Sequence, residues 1–247
     1  MIGALGPSSS RHMSDCGVVS KLWRYPVKSM LGEACTTLDL DERGITGDRL
    51  FAVRDADGKL GSGKTTRRFR RIDGLFLFRA IHLGDVPEIM FPDGRRIRAD
   101  DTRIHEALSA ALGQPVTLVR ETELSRLDAA PVHLVTEASL VRLNAALPDA
   151  RIDERRFRPN LVIDSPGEQQ TEEWLGRTLC VGRDVKLRIS SATERCRMVT
   201  LAQAELPDDP QILQHIARHS ALRFGLYAEV LAPGSIAWGD PISLLRR

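Results

Sequence analysis

The first half of the chain alternates short apolar runs with turn-forming residues. Residues 18–27 are rich in β-branched and aromatic side chains with partial alternation, which predicts a strand ending in a turn at Lys28 and Ser29 before Gly32. Further strands are predicted over residues 34–40, 49–54, 75–82 and 88–92. Turn chemistry at Asp41-Glu42-Arg43-Gly44, Asp55-Ala56-Asp57-Gly58 and Pro92-Asp93-Gly94 closes several of them, so this half reads as mostly antiparallel β. The period then changes. Ile104, Leu108, Ala111 and Leu112 share one helical face over residues 102–112, and Gly113 supplies the stop. A strand is predicted at 116–120, followed by a polar, irregular stretch over 121–130.

The second half opens with an apolar run at 132–135 and a helix started by Thr136-Glu137-Ala138-Ser139, with Leu140, Leu143 and Leu147 apolar and Pro148 ending it. Residues 158–160 form a loop feeding a strand that reaches Ile163, and strands are predicted at 185–189, 197–201 and 228–231. Residues 207–219 are helical, with Pro210 in the first turn and Ile212, Leu213 and Ile216 at helical spacing. The expected fold is α+β and predominantly antiparallel β. Residues 1–13 read as a tail or cloning remnant, 14–122 as a β-rich N-terminal domain and 123–247 as a second domain.

Composition narrows the function classes. A chain of 247 residues, 42% hydrophobic and 28% charged, is long enough to bury a sizeable core. Its net charge of +2 argues against nucleic acid, and the one dense basic run, Arg67-Arg68-Phe69-Arg70-Arg71, is too short to change that. No apolar stretch is long enough to span a bilayer, and a secretory layout is absent from the N-terminus. Cys16, Cys35, Cys180 and Cys196 are too scattered for a disulfide framework or a CxxC-type metal cluster, so a reducing, cytoplasmic setting is expected.

Residues 58–65 match the phosphate-loop pattern GxxxxGK[ST]. That motif needs a helix leaving the loop, whereas Thr65, Thr66 and the following arginines lead to Gly74 without a helical pattern. The expected alternative is a glycine-rich hairpin, turned at Asp57-Gly58, with Leu60 starting the return strand. The basic stretch from Lys64 to Arg71 then lines a substrate mouth or forms a solvated face. His215 and His219 are spaced i, i+4 but lack a third ligand or a HExxH glutamate, so a solvated face is expected there. Trp23 and Trp174 are read as core or rim residues, and Cys16, Cys35 and Cys180 as structural.

Cys196 stands apart because Arg195 and Arg197 flank it. Neighbouring guanidinium groups suit a thiolate, the species that binds soft metals or attacks electrophiles. The alternative is an inward-facing strand cysteine with its arginines on the solvent face.

Six separated pieces decide what company Cys196 keeps: Tyr25-Pro26-Val27-Lys28-Ser29, Gly47-Asp48-Arg49, Thr136-Glu137-Ala138-Ser139-Leu140, Arg156-Phe157-Arg158-Pro159-Asn160, Arg195-Cys196, and the stretch from Phe224-Gly225-Leu226-Tyr227 to Gly239-Asp240-Pro241. In order and spacing they resemble the MOSC family, the molybdenum-cofactor-binding domain of molybdenum cofactor sulfurase and of the amidoxime-reducing proteins. The resemblance runs from Met13 onward. It implies a β-barrel-like MOSC domain packed with a β-rich N-terminal domain, molybdenum-molybdopterin as cofactor, Cys196 as metal ligand, and Lys28, Ser29, Arg49, Arg158 and Asn160 lining the cofactor, with Arg195 beside them. The residue types fit independently, since a pterin phosphate needs permanently charged planar donors and molybdenum a soft ligand. Taken singly, Arg49 pairing with Asp48 and Lys28 as a solvated turn residue are the structural alternatives.

The implied activity is reduction of small N-hydroxylated compounds by oxygen-atom transfer. The implied electron donor is external, a ferredoxin, a flavoprotein or a small haem protein, because no cysteine-rich ferredoxin segment is seen in the sequence. The alternative is a cofactor carrier or sulfur-delivery module holding a persulfide on Cys196, without the pyridoxal-phosphate domain of the sulfurase. After Cys196 the chain reads Arg197-Met198-Val199-Thr200-Leu201-Ala202-Gln203, where many relatives carry a Thr-rich, acidic turn. The shape of the substrate mouth is expected to differ accordingly.

Overall fold

Strand Met13–Arg24 is long enough to pair along both edges, and that closes the main sheet. One edge pairs with strand Leu161–Asp164, through Val19 with Ile163 and Leu22 with Leu161, and the other with strand Pro241–Leu245. The computed structural model describes residues 13–120, 130–165 and 171–245. The expected tail over residues 1–12 and most of the irregular stretch over 121–130 lie outside them.

From Leu161–Asp164 the sheet runs through Val132–Thr136, Arg223–Ala232, Val185–Glu194, Thr178–Val181 and Pro241–Leu245 to Met13–Arg24, which pairs back with the first strand to close a seven-stranded barrel. Strand Glu33–Cys35 extends it at Met13–Arg24. Inside the barrel Val132–Thr136 and Leu161–Asp164 are parallel, as a crossover through helix α2 (Glu137–Ala146) allows. Val19, Leu22, Leu134, Leu161, Leu187 and Ile242 fill its core. Thr136 starts α2 as an N-cap, its side chain accepting from Ser139 N at 3.2 Å.

A second core gathers Val27, Met30, Phe78, Ile89, Ile104 and Leu108. Around it lie a four-stranded sheet (Val116–Arg120, Phe51–Asp55, Leu60–Ser62, Phe69–Arg71), a three-stranded sheet (Arg96–Arg98, Val86–Met90, Arg79–Leu83) and a helix over Arg103–Leu112. The fold is α+β and dominated by antiparallel strands. Helix α3 (Pro210–Ser220) packs outside the barrel, capped by Asp209, whose side chain accepts from Gln211 N at 3.0 Å. Among the described residues no helix is long and apolar enough to cross a membrane.

Three expectations are corrected. The run at 75–82 is a 3-10 turn over Leu75–Leu77 followed by strand Arg79–Leu83, because Gly74 at φ 86° turns the chain and Leu77 projects to solvent. The strand expected at 197–201 is a 3-10 turn over Arg197–Val199. Short strands at Thr178–Val181, Gly234–Ala237 and Pro241–Leu245 were not predicted, since each is too brief for alternation to register.

Candidate functional site

The turn after Met13–Arg24 carries Lys28 and Ser29 into the space between the barrel rim and the second core. Lys28 N donates to Phe51 O at 2.8 Å, its ammonium lies over the Phe69 ring at 4.9 Å, and both Lys28 and Ser29 are buried. Lys28 is therefore no solvated turn residue. Ser29 has φ 65°, Arg49 φ 51° and Arg158 φ 54°, a left-handed backbone that side-chain-bearing residues adopt at a cost of roughly 1 kcal/mol or more each. Half of the six described non-glycine residues with positive φ thus fall on three candidate site positions.

Those positions meet. A cavity of about 410 Å³ is lined by Lys28, Ser29, Arg49, Arg158, Asn160, Arg195 and Cys196, all seven candidates from the sequence. It is also lined by Ser62, Lys64, His133, Arg156, Met198 and Tyr227. Among the described residues that line it, six side chains are cationic and Glu194 is the one carboxylate. Such a wall attracts anions.

Arg49 is braced rather than loose. It pairs with the buried Asp48, whose other oxygen accepts from Tyr25 N at 2.7 Å, and Arg49 Nη2 donates to Arg158 O at 3.2 Å. Local pairing with Asp48 and a place in the cavity wall are both realised. Arg158 donates to Met30 O at 2.5 Å and covers the Tyr25 ring at 4.2 Å. Burial raises the Tyr25 phenol well above its ordinary value, so this ring stays a neutral platform. Asn160 is fully buried and brackets three strands: Oδ1 accepts from His133 N at 3.1 Å and Nδ2 donates to Trp23 O at 3.3 Å.

Cys196 closes strand Val185–Glu194 and begins the turn Arg197–Val199, with extended backbone at φ −127° and ψ −178°. It is half-buried, and its thiol makes no hydrogen bond among the described residues. The inward-facing strand cysteine is excluded, because the strand has already ended. The surrounding turn is held from several sides. Arg195 N donates to Leu222 O at 2.7 Å, Asp209 N to Thr200 O at 2.8 Å, and Arg156 Nη1 to Val199 O at 3.4 Å.

The two flanking arginines diverge. Arg195 turns into the cavity, donating to Phe157 O at 2.6 Å and facing His133 Nε2 at 3.3 Å, whereas Arg197 is exposed on the far side. A guanidinium only donates, so Nε2 is the unprotonated ring nitrogen and Nδ1 carries the proton toward Arg158 O at 3.3 Å.

The glycine-rich segment is the expected hairpin: Arg54 pairs with Leu60, Gly58 takes φ 81°, and strand Phe69–Arg71 follows instead of a helix. Leu60–Ser62 and Phe69–Arg71 pair in parallel across a six-residue connection, residues 63–68. Close approach explains its glycine at 63, whose N donates to Met198 Sδ at 3.1 Å in the turn after Cys196. Ser62 and Lys64 reach the cavity, so the start of the basic stretch belongs to the site while Arg67 and Arg68 lie on the surface. Among the described residues no group of three or more His, Cys, Asp or Glu side chains forms a metal cluster, and the His215 and His219 rings lie tilted against each other with centroids 4.3 Å apart.

The order of these pieces along the chain is matched by two family models, MOSC domain over residues 81–243 and MOSC N-terminal beta barrel domain over residues 16–79. The chain belongs to the MOSC family. Among solved structures, this MOSC protein is similar to the YuaD protein from Bacillus subtilis, at 15% identity over 94% of this chain and 97% of that one, with a TM-score of 0.55. That likeness is one of fold. YiiM from Geobacillus stearothermophilus aligns at 18% identity over 63% of this chain and 69% of its own, with a TM-score of 0.38. No curated protein sequence matches significantly.

His133, Arg156 and Tyr227 were not foreseen as site residues, because an apolar strand flank reads as core and a second arginine in one motif reads as redundant. One signal was present: Gly225 in Phe224-Gly225-Leu226. It has φ 84°, and a Cβ there would lie 2.6 Å from His133 Nε2 and 2.8 Å from Leu134 O. Gly225→Ala is accordingly expected to cost about 2 kcal/mol, from backbone strain plus the clash, read as a lower urea midpoint at unchanged slope. A wild-type midpoint would remove His133 packing as the reason for this glycine.

Proposed function

We propose that the protein binds molybdenum cofactor in this cavity, with the Cys196 thiolate as metal ligand, and reduces small N-hydroxylated compounds. The observation that carries the reading is the convergence of Lys28, Ser29, Arg49, Arg158, Asn160, Arg195 and a half-buried thiol on one cavity of about 410 Å³. Membership of the MOSC family supports the association with molybdenum cofactor. The donor set suits the group: guanidinium and ammonium for a phosphate, a soft sulfur for the metal.

Bound there, the cofactor supplies two-electron oxygen-atom transfer: the N–O bond of an amidoxime or hydroxylamine breaks, two electrons and two protons are consumed, and the oxygen leaves as water. The chain's own residues orient and enclose. Lys28 and Arg158, buried and prefixed by backbone and ring contacts, hold the phosphate without reorganising. Asn160 Oδ1 accepts from Arg49 Nη1 at 3.5 Å and from His133 N at 3.1 Å, and so ties the turn that carries Arg49 to the strand that carries His133. Arg195, anchored on Phe157 O, presents charge beside Cys196 to the pterin or the substrate. Electrons come from an external one-electron carrier protein, and protons from solvent.

The experiment is molybdenum and pterin analysis of protein from a cofactor-competent host, followed by assay with an aryl amidoxime and a chemical reductant. Near-stoichiometric molybdenum with turnover is expected. Bound cofactor with no turnover on any N-hydroxylated substrate would instead make the protein a carrier, and absence of both metal and pterin would remove the cofactor assignment itself.

A further inference from the structure

A second cavity, about 210 Å³, lies behind the first. Both are lined by Ala192, and the rings that separate them, Phe157 on one side and Phe224 on the other, stack at 4.2 Å. Helix α2 contributes Ser139 and Arg142 to the second cavity, α3 contributes His215 and Ser220, and strand Arg223–Ala232 begins there with Arg223. Leu143, Ile216 and Leu226 provide apolar lining. Among the described residues no carboxylate lines it.

The two arginines are the informative groups. Several surface arginines pair with neighbouring acids, as in Arg95–Asp93, Arg98–Asp100, Arg103–Asp101 and Arg188–Glu229, while others, such as Arg54, Arg67 and Arg183, do not. Arg142 and Arg223 make no hydrogen bond or ion pair among the described residues. Glu194 stands opposite Arg223 in the strand register, yet forms no ion pair with it and lines the first cavity instead. Burial first, and then His219 and Arg218, hold the His215 imidazole below its usual range.

We infer that this cavity is an auxiliary binding site for a small organic anion, a carboxylate or phosphate carried on a short apolar body. Arg142 and Arg223 grip the anionic head from two elements, His215, Ser139 and Ser220 add polar contacts, and Phe224 with Leu143 and Ile216 takes the apolar part. A lining that holds both cationic and apolar side chains suits an amphiphilic ligand, because a bare inorganic anion leaves the apolar groups unused and a neutral hydrocarbon leaves the arginines unpaired. An occupant here sits one aromatic layer from the first cavity, against the Phe224 ring, which stacks on Phe157, the residue whose carbonyl accepts from Arg195. The site stands on its own residues and does not depend on which cofactor the first cavity holds.

The test is an NMR titration of the full chain with phenyl phosphate and benzoate, following the His215 imidazole signals. Saturable shifts with a Kd of about 1 mM are expected. Arg142→Gln and Arg223→Gln should each weaken binding about tenfold, while Arg183→Gln, an exposed charge outside both cavities, leaves it unchanged. All three are exposed positions, so folding is not at stake. No saturable shift up to about 20 mM overturns the inference. So does an equal loss in all three variants, which would report general charge, or full retention in Arg142→Gln and Arg223→Gln.

Discussion

Under the proposed cofactor assignment, Cys196→Ser is expected to keep the fold and lose the metal. The thiol is half-buried and makes no hydrogen bond among the described residues, so the exchange of sulfur for oxygen should move stability by no more than about 0.5 kcal/mol. Metal retention is a different matter. A serine hydroxyl keeps its proton at neutral pH and is a hard donor, whereas molybdenum in this setting is matched to a soft thiolate. Loss of outer-shell groups alone lowers metal affinity by about 10- to 100-fold, so removal of the ligand itself should lower molybdenum content by at least about 100-fold and take turnover below detection. Pterin content should fall less than metal content, because Lys28 and Arg158 remain in place to hold the phosphate. Cys180→Ser, half-buried on a barrel strand away from the cavity, is the control and should load normally. Wild-type molybdenum in Cys196→Ser would dismiss the thiolate ligand. Equal loss of pterin and metal would mean that the sulfur, not the cationic wall, anchors the whole group.

The parts of the site visible in the sequence are those where residue type carries the information. A cysteine between arginines and a lysine-serine turn after an apolar strand are visible as letters, and each reached the cavity. What stayed hidden depends on backbone conformation or long-range register. Nothing in the letters of Ser29, Arg49 or Arg158 signals positive φ, since the residues that usually mark it, glycine and asparagine, are absent from all three. The strand that delivers Cys196 runs to Glu194, five residues beyond its predicted end, because register shifts against Arg223–Ala232 let it bend and continue where alternation breaks down. Barrel closure is set by Val19 meeting Ile163 and Val18 meeting Pro241, pairings across most of the chain that no local pattern contains. The phosphate-loop pattern failed for a complementary reason. Its glycine at 63 answers to Met198 beside Cys196, a contact 135 residues away, and its neighbour Lys64 still faces an anion-seeking cavity.

Arg156→Met should produce the largest loss of stability of any cavity substitution. The guanidinium is fully buried and donates to three backbone carbonyls: Arg151 O at 2.8 Å, Pro207 O at 2.8 Å and Val199 O at 3.4 Å. Among the described residues no carboxylate contacts it; Asp209, Asp153 and Asp208 act only at longer range, and burial outweighs them in pulling its pKa down. Methionine fills a similar length but leaves three carbonyls without a donor, at about 1–3 kcal/mol for each that stays buried. Against this stands the relief of removing a buried charge, which in other proteins has made apolar replacements neutral or stabilising. Here the first effect should win, because one guanidinium joins three separate segments, and the other bonds between those segments, such as Asp209 N to Thr200 O at 2.8 Å and Arg151 Nη1 to Glu205 O at 2.9 Å, do not involve these three carbonyls. The expected net loss is about 2–4 kcal/mol, seen as a lower urea midpoint, with Arg156→Lys intermediate because a compact ammonium cannot span all three acceptors. Val199 ends the turn that Cys196 begins, so the folded fraction of Arg156→Met should also load less molybdenum than wild type. An unchanged or raised midpoint would show that this arginine is kept for the cavity's positive charge and not for the three segments it spans.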